Sequence, residues 1–200
     1  QNKGAPDRAY SPGWAGMLEE LDSGIGRILD ELDALGISDN TYVVFTTDNG
    51  GRGIVPGGDP KSPAPNVPLS GAKHSLLEGG IRVLLLVGVP SIEAGSVCRV
   101  PVAGYDFLPT FYELAGGKDN LSKELDGGSF VTLFSNSETD SVKRPIDGLV
   151  FSRPRQGMAV IRSGQWKLLA AVNAKREIQS ARLFNVVEDI ASENNVANNI

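Results

Sequence analysis

The sequence predicts an α/β fold: part of a mostly parallel sheet flanked by helices, followed by a small antiparallel C-terminal sheet with a terminal helix. Three observations predict it. Apolar residues recur at steps of three and four from Trp14 to Leu35, which is helical spacing. Two β-prone runs, 41–47 and 82–89, lack polar alternation, as strands buried on both faces do. After about residue 145 the texture changes to short β-prone runs, with Ser163-Gly164 between two of them as a hairpin-turn dipeptide. Residues 1–145 are therefore read as an α/β part and 146–200 as a small antiparallel subdomain.

Each element has local causes. Residues 1–9 are polar and loop-like. Ser11 is a helix N-cap and Pro12 the first helical residue, where a missing N–H does no harm. The apolar stripe runs through Met17, Leu18, Leu21, Ile25, Ile28, Leu29 and Leu32, and Gly36 is placed to end the helix. The strand Thr41–Thr47 stops at Asp48-Asn49-Gly50-Gly51. The span 51–71, rich in proline and glycine, reads as a long irregular loop, and such loops tend to line sites. A second apolar strand follows over 82–89 and a short one over 100–103. Asp106 then caps a helix carrying Phe107, Leu108, Phe111 and Leu114, stopped by Gly116-Gly117. The last β-prone runs are 149–153, 157–162, 165–172 and 181–186, with 188–198 as the terminal helix or tail.

Composition closes off other classes. The chain has 200 residues, 40% hydrophobic and 22% charged, which fits one globular domain, or one with a small appendage, and excludes fibrous and disordered chains. Its formal charge is −5 with no basic block, so nucleic acid is not an expected partner. No apolar run reaches the roughly 20 residues of a membrane-spanning helix. One cysteine, Cys98, permits no internal disulfide, and no signal peptide is visible.

Several residues are candidates for chemistry. Asp48 and Asn49 offer a carboxylate and an amide carbonyl at a strand's carboxyl end, where ligands bind in open α/β sheets. Such hard oxygens suit Ca²⁺ or Mg²⁺ rather than zinc, and two of them are too few for a complete calcium shell. The same tripeptide with Gly50 also reads as a plain turn. Lys73 is a lone cation in a Gly-flanked loop, and His74 is the only histidine. Glu78 and Arg82, four apart, are a candidate supporting ion pair, although Gly79-Gly80 between them speaks against helical geometry. Cys98 reads as a buried or edge thiol before it reads as a nucleophile. No Gly-x-Ser-x-Gly, Rossmann fingerprint or P-loop is present.

Taken together, these stretches resemble the type I, formylglycine-dependent sulfatases of the alkaline-phosphatase-like superfamily. The resemblance lies in Met17–Asp22 with Gly26 and Leu35-Gly36, in Val44–Gly50, and in Gly71-Ala72-Lys73 through Glu78-Gly79-Gly80-Ile81-Arg82-Val83. It continues in Asp106 with Leu108-Pro109-Thr110, in Ile161–Leu168, and in Leu183-Phe184-Asn185 with Glu193, Asn195 and Ala197. Lysine followed five positions on by Glu-Gly-Gly-x-Arg, about two dozen residues after Asp-Asn-Gly, is its most specific part.

The resemblance implies a sulfatase, hydrolysing carbohydrate or aryl sulfate esters. It implies that Asp48 and Asn49 ligate an active-site Ca²⁺ and that Lys73, in a catalytic and substrate-binding role, contacts a sulfate oxygen. His74 is carried over as a further substrate contact. The family's nucleophile arises from a Cys/Ser-x-Pro/Ala-x-Arg motif lying well upstream of these stretches, and no such motif occurs in this sequence. The chain thus resembles the C-terminal half of a sulfatase, with formylglycine expected only in an N-terminal half and no turnover expected from these residues alone. Expected partners are a sulfated small molecule or glycan and either the N-terminal half or a second copy. The resemblance favours a periplasmic or secreted location. The alternatives are a phosphate or phosphonate monoester hydrolase of the same superfamily, or a non-catalytic pseudo-enzyme fragment.

Overall fold

The structure, a computed structural model, describes residues 12–53, 66–88, 92–118, 121–122, 124–135 and 141–197. The chain divides into two compact units, one formed by Gln1–Pro90 with Asp189–Glu193 and the other by Ser91–Glu188 with Asn194–Ile200.

The first unit opens with helix α1, Pro12–Ala34. The expected cap Ser11 lies outside the described residues. The other end is resolved in full. Gly36 takes φ 66°, its N–H donates to Asp33 O at 3.0 Å, and Ile37 N–H reaches back to Leu32 O at 3.1 Å. This paired return satisfies the last carbonyls, and apolar Ile37 and Leu32 occupy the positions that meet in such a cap. Strand β1, Val43–Thr46, pairs with β2, Leu85–Gly88, in a two-stranded ladder. An open groove at the start of β1 is lined by Leu29 and Leu32 of α1 together with Val43 and Gly88.

That ladder is antiparallel, with Val43 opposite Gly88 and Thr46 opposite Leu85, and so departs from the parallel pairing expected. The reason lies beyond the strand ends. Gly50 N–H donates to Gly80 O at 3.0 Å, so the chain leaves β1 and returns towards β2 at the same end of the ladder. A chain re-entering at the end it left must run backwards. Between the two, the four-residue helix α2, Glu78–Ile81, is buried at Glu78, Gly79 and Gly80.

Helix α1 contains no buried residue. Its stripe through Leu18, Ile25, Leu29 and Leu32 includes the two leucines of the groove. A second stripe, about 75° round the axis, carries Met17 at 65% exposure, Leu21 at 55% and Ile28 at 63%, with Leu35 just past the helix at 61%. Leu84 and Leu86, at and beside β2, are 50% and 61% exposed.

The second unit holds helix α3, Phe107–Leu114, and a four-stranded antiparallel sheet in the order β3-β4-β5-β6: Leu149–Arg153, Met158–Ser163, Trp166–Val172 and Ile178–Asn185. The antiparallel C-terminal sheet is therefore as expected. Its hairpin turn is Gly164-Gln165, one residue later than read, because Ser163 pairs with Trp166. One face buries Leu149, Val160, Leu169 and Phe184. Phe107, Phe111, Phe130 and Phe134 form a chain of ring contacts with centroids 5.6–6.0 Å apart, which packs α3 onto the segment after it. Lys167, fully buried, stands on the same sheet face, opposite Arg162 and Phe184.

Three other expectations are corrected here. Residues 100–103 form no strand. Residues 188–197 form turns rather than a helix: Ser192 takes φ 56°, and Asn195 Oδ1 accepts the N–H groups of Leu183 and Ala197 at 3.0 and 3.1 Å. An asparagine side chain that binds backbone in this way competes with helix formation. Asp106 precedes α3 but makes no side-chain cap to it. Its carboxylate instead accepts from Ala103 N–H at 2.7 Å, Gly128 N–H at 3.0 Å, and Arg144 Nε and Nη2 at 2.9 and 2.7 Å. Both partners are buried, and charge-assisted bonds of this kind hold the loop 126–130 and Arg144 to the start of α3.

Candidate active site

Asp48 and Asn49 follow the carboxyl end of β1, as the sequence predicts. Asp48 is exposed and Asn49 half-buried. Thr47 Oγ1 donates to Asn49 O at 3.3 Å, and Asn49 Nδ2 donates to Gly50 O at 3.0 Å. The amide's donor end is thus committed to backbone, which leaves Oδ1, the end a cation would take, to face elsewhere. Gly50 is required by space: a Cβ there would lie 1.8 Å from Gly79 O.

Lys73 and His74 form an exposed turn, with Ser75 N–H donating to Ala72 O at 2.9 Å. His74 has φ 75°, the left-handed region that non-glycine residues avoid at a cost of about 1–3 kcal/mol. Such strain persists only where surrounding bonds over-determine it. Here they are Lys73 N–H to Gly51 O at 3.0 Å, Gly79 N–H to Ser70 O at 2.8 Å and Leu77 N–H to Ser75 Oγ at 3.0 Å. The first of these joins the lysine's own backbone to the loop that carries Asp48 and Asn49. The expected pair of Glu78 and Arg82 forms across α2 at 3.9 Å, with Glu78 1% exposed and Arg82 46% exposed.

Sequence reasoning missed Asn66. It hydrogen-bonds to Gly51 and Gly71, one in each of these two loops. Lone polar residues in a proline-rich stretch carry no spacing signal, so only the fold reveals it. Cys98, read as a buried or edge thiol, is exposed in a segment without strand pairing.

The donor set at Asp48 and Asn49 suits a hard dication in kind but not in number. Among the described residues no three His, Cys, Asp or Glu side chains gather to hold a metal. Among them, too, no helix is long and apolar enough to cross a membrane.

A family model described as Sulfatase matches residues 11–117. Among curated proteins, the steryl-sulfatase of Mus musculus is 33% identical over 133 residues, covering 65% of this chain and 21% of that protein. A solved structure from work on glycosaminoglycan metabolism by Bacteroides thetaiotaomicron superposes with TM-score 0.68 at 21% identity, covering 90% of this chain and 39% of the other. Another, in complex with its substrate D-glucosamine-2-N,6-O-disulfate, gives TM-score 0.65 at 22% identity, covering 92% and 35%. At those identities the structures speak to fold alone. The chain spans about a fifth of that curated relative and well under half of either solved structure.

Proposed function

Because the chain belongs to the sulfatase family, whose members hydrolyse sulfate esters, we propose that it supplies one side of a sulfatase active centre. Asp48 and Asn49 Oδ1 ligate a divalent cation: their hard oxygens suit Ca²⁺ or Mg²⁺, and the family resemblance favours Ca²⁺. Lys73 contacts a sulfate oxygen, offsetting the anion's charge and holding its sulfur in place, and His74 adds a polar contact to the same group. The cation would polarise the sulfate oxygens, and formylglycine, whose sequence motif this chain lacks, would supply the attacking oxygen. The substrate class is a sulfated carbohydrate or an aryl sulfate, the esters that the family resemblance implies.

The observation that carries this reading is the 3.0 Å bond from Lys73 N–H to Gly51 O. It brings the cationic turn against the oxygen-bearing loop although 24 positions separate Asn49 from Lys73. Two loops tied together at a strand's carboxyl end support a shared site for a dication and a tetrahedral anion.

The chain by itself is expected to be inactive. Met17, Leu21 and Ile28 on α1, and Leu84 and Leu86 at β2, are large apolar side chains left exposed, and in this reading they are covered in the complete domain. What covers them is the remainder of a sulfatase domain, since the matched relatives extend far beyond the matched region. A two-stranded ladder also gains from further strands.

The test uses the full-length polypeptide that contains this chain, with an aryl sulfate as substrate. Asp48→Ala and Asn49→Ala should each lower kcat/KM by at least about a hundredfold, the range over which loss of one electrostatic stabiliser acts. Near-full activity in both variants would remove metal ligation from the account. Turnover by the purified 200-residue chain would overturn the need for a second half.

A further inference from the structure

Asn66 addresses two backbones at once. Its Nδ2 donates to Gly51 O at 2.9 Å and to Gly71 O at 3.1 Å, while Oδ1 accepts Gly51 N–H at 2.8 Å. The orientation of the amide is fixed by its partners, since only the nitrogen can donate to two carbonyls and only the oxygen can accept an N–H. All three contacts are to main chain, so the side chain gauges where the Asp48–Gly51 loop stands relative to the Gly71–His74 turn. Gly51 O receives a second donor, Lys73 N–H at 3.0 Å. The route from Asn66 to Lys73 therefore passes through a single carbonyl.

We propose that Asn66 is a positioning residue that sets the spacing between the oxygens of Asp48 and Asn49 and the side chain of Lys73, acting through Gly51 and Gly71 and touching no substrate. This rests on the reading of Lys73 as a sulfate contact. The neck of the same loop is fastened separately, by Gly50 N–H to Gly80 O at 3.0 Å and Gly79 N–H to Ser70 O at 2.8 Å. Removing Asn66 thus relaxes the spacing and leaves the neck closed, which separates positioning from plain structural support.

The experiment is amide hydrogen exchange by NMR on the 200-residue chain and its Asn66→Ala and Asn66→Asp variants, with inorganic sulfate titrated against the Lys73 amide signal. In Asn66→Ala, Gly51 and Lys73 should exchange about tenfold faster, the equivalent of one neutral hydrogen bond. Gly50, Gly79 and the β5–β6 amides should keep their rates, the last reporting an intact fold. Asn66→Asp retains the acceptor for Gly51 N–H and loses both donors, so Gly51 stays protected while Lys73 does not. Sulfate should bind more weakly in both variants. Unchanged exchange at Lys73 in Asn66→Ala, or equal acceleration at Gly50 and Gly79, overturns the proposal. If sulfate moves no Lys73 signal in the unaltered chain, the role of Lys73 fails, and the exchange rates still decide the role of Asn66.

Discussion

Replacing Asp106 by alanine should strongly destabilise the second unit. The carboxylate is wholly buried, and Arg144 is 7% exposed. Alanine removes four hydrogen bonds, two to backbone N–H groups and two to the guanidinium, at 2.7–3.0 Å. It also strands a buried cation. Breaking one side of a buried ion pair costs about 3–5 kcal/mol, because the surviving charge keeps its desolvation penalty. Against a total stability of about 5–15 kcal/mol, that is between about a fifth and all of what holds a small domain together. For a unit of this size the melting temperature should fall by roughly 12–40 °C. Urea denaturation followed through the β5–β6 amide signals reads this unit alone. The double variant Asp106→Ala/Arg144→Met should recover part of the loss, since it removes the orphaned charge as well. A single-variant cost below about 1 kcal/mol, the size of an exposed ion pair, would refute the claim that this pair is a buried keystone.

Three other outcomes follow from the geometry. A Cβ on Gly79 would meet Gly71 O at 2.4 Å and Ser70 O at 2.7 Å, both backbone, so Gly79→Ala should destabilise the first unit by about 1–3 kcal/mol in denaturant titration. Wild-type stability would show that the loop gives way there. Leu21→Glu and Ile28→Glu should change the stability of the 200-residue chain by no more than about 0.5 kcal/mol, these positions being exposed, yet cost about 2 kcal/mol or more in a longer polypeptide that covers them. Equal tolerance in both settings would sink the assignment of that surface. Burial raises the Tyr105 phenol above its ordinary value, with Val150 N–H and Arg144 opposing. The folded state then holds that proton more tightly than the unfolded chain, so its stabilising share is complete below about pH 10 and declines as the pH rises further. Tyr105→Phe should flatten the fall in denaturation midpoint between about pH 9 and 11; an unaltered slope would assign it to other groups.

What the sequence discloses and what it hides divide along range. Helix α1 and its glycine terminus were legible because both rest on contacts within a few residues, and so were the four C-terminal strands. The direction of β2 was not, because it is set by Gly50 meeting Gly80 across 30 positions. Asp106 presents the same local pattern as a helix cap, and its true partner, Arg144, lies 38 residues on. Around Cys98, Ser96-Val97 and Arg99-Val100 imitate a strand, yet Val97 is 78% exposed and the segment pairs with no strand among the described residues. The tract of Lys73 and the Asp48-Asn49 pair stood out by spacing. That Asn66 bridges them has no imprint in spacing at all.

The hydrogen bond between Gly50 and Gly80 closes the chain on itself before residues 51–79 have run their course. A segment anchored at both feet in this way can be lengthened at little expense, about 0.6 kcal/mol for each doubling of its free length. Changes of length between residues 51 and 79 are therefore expected to leave the two strands and the lysine turn in register.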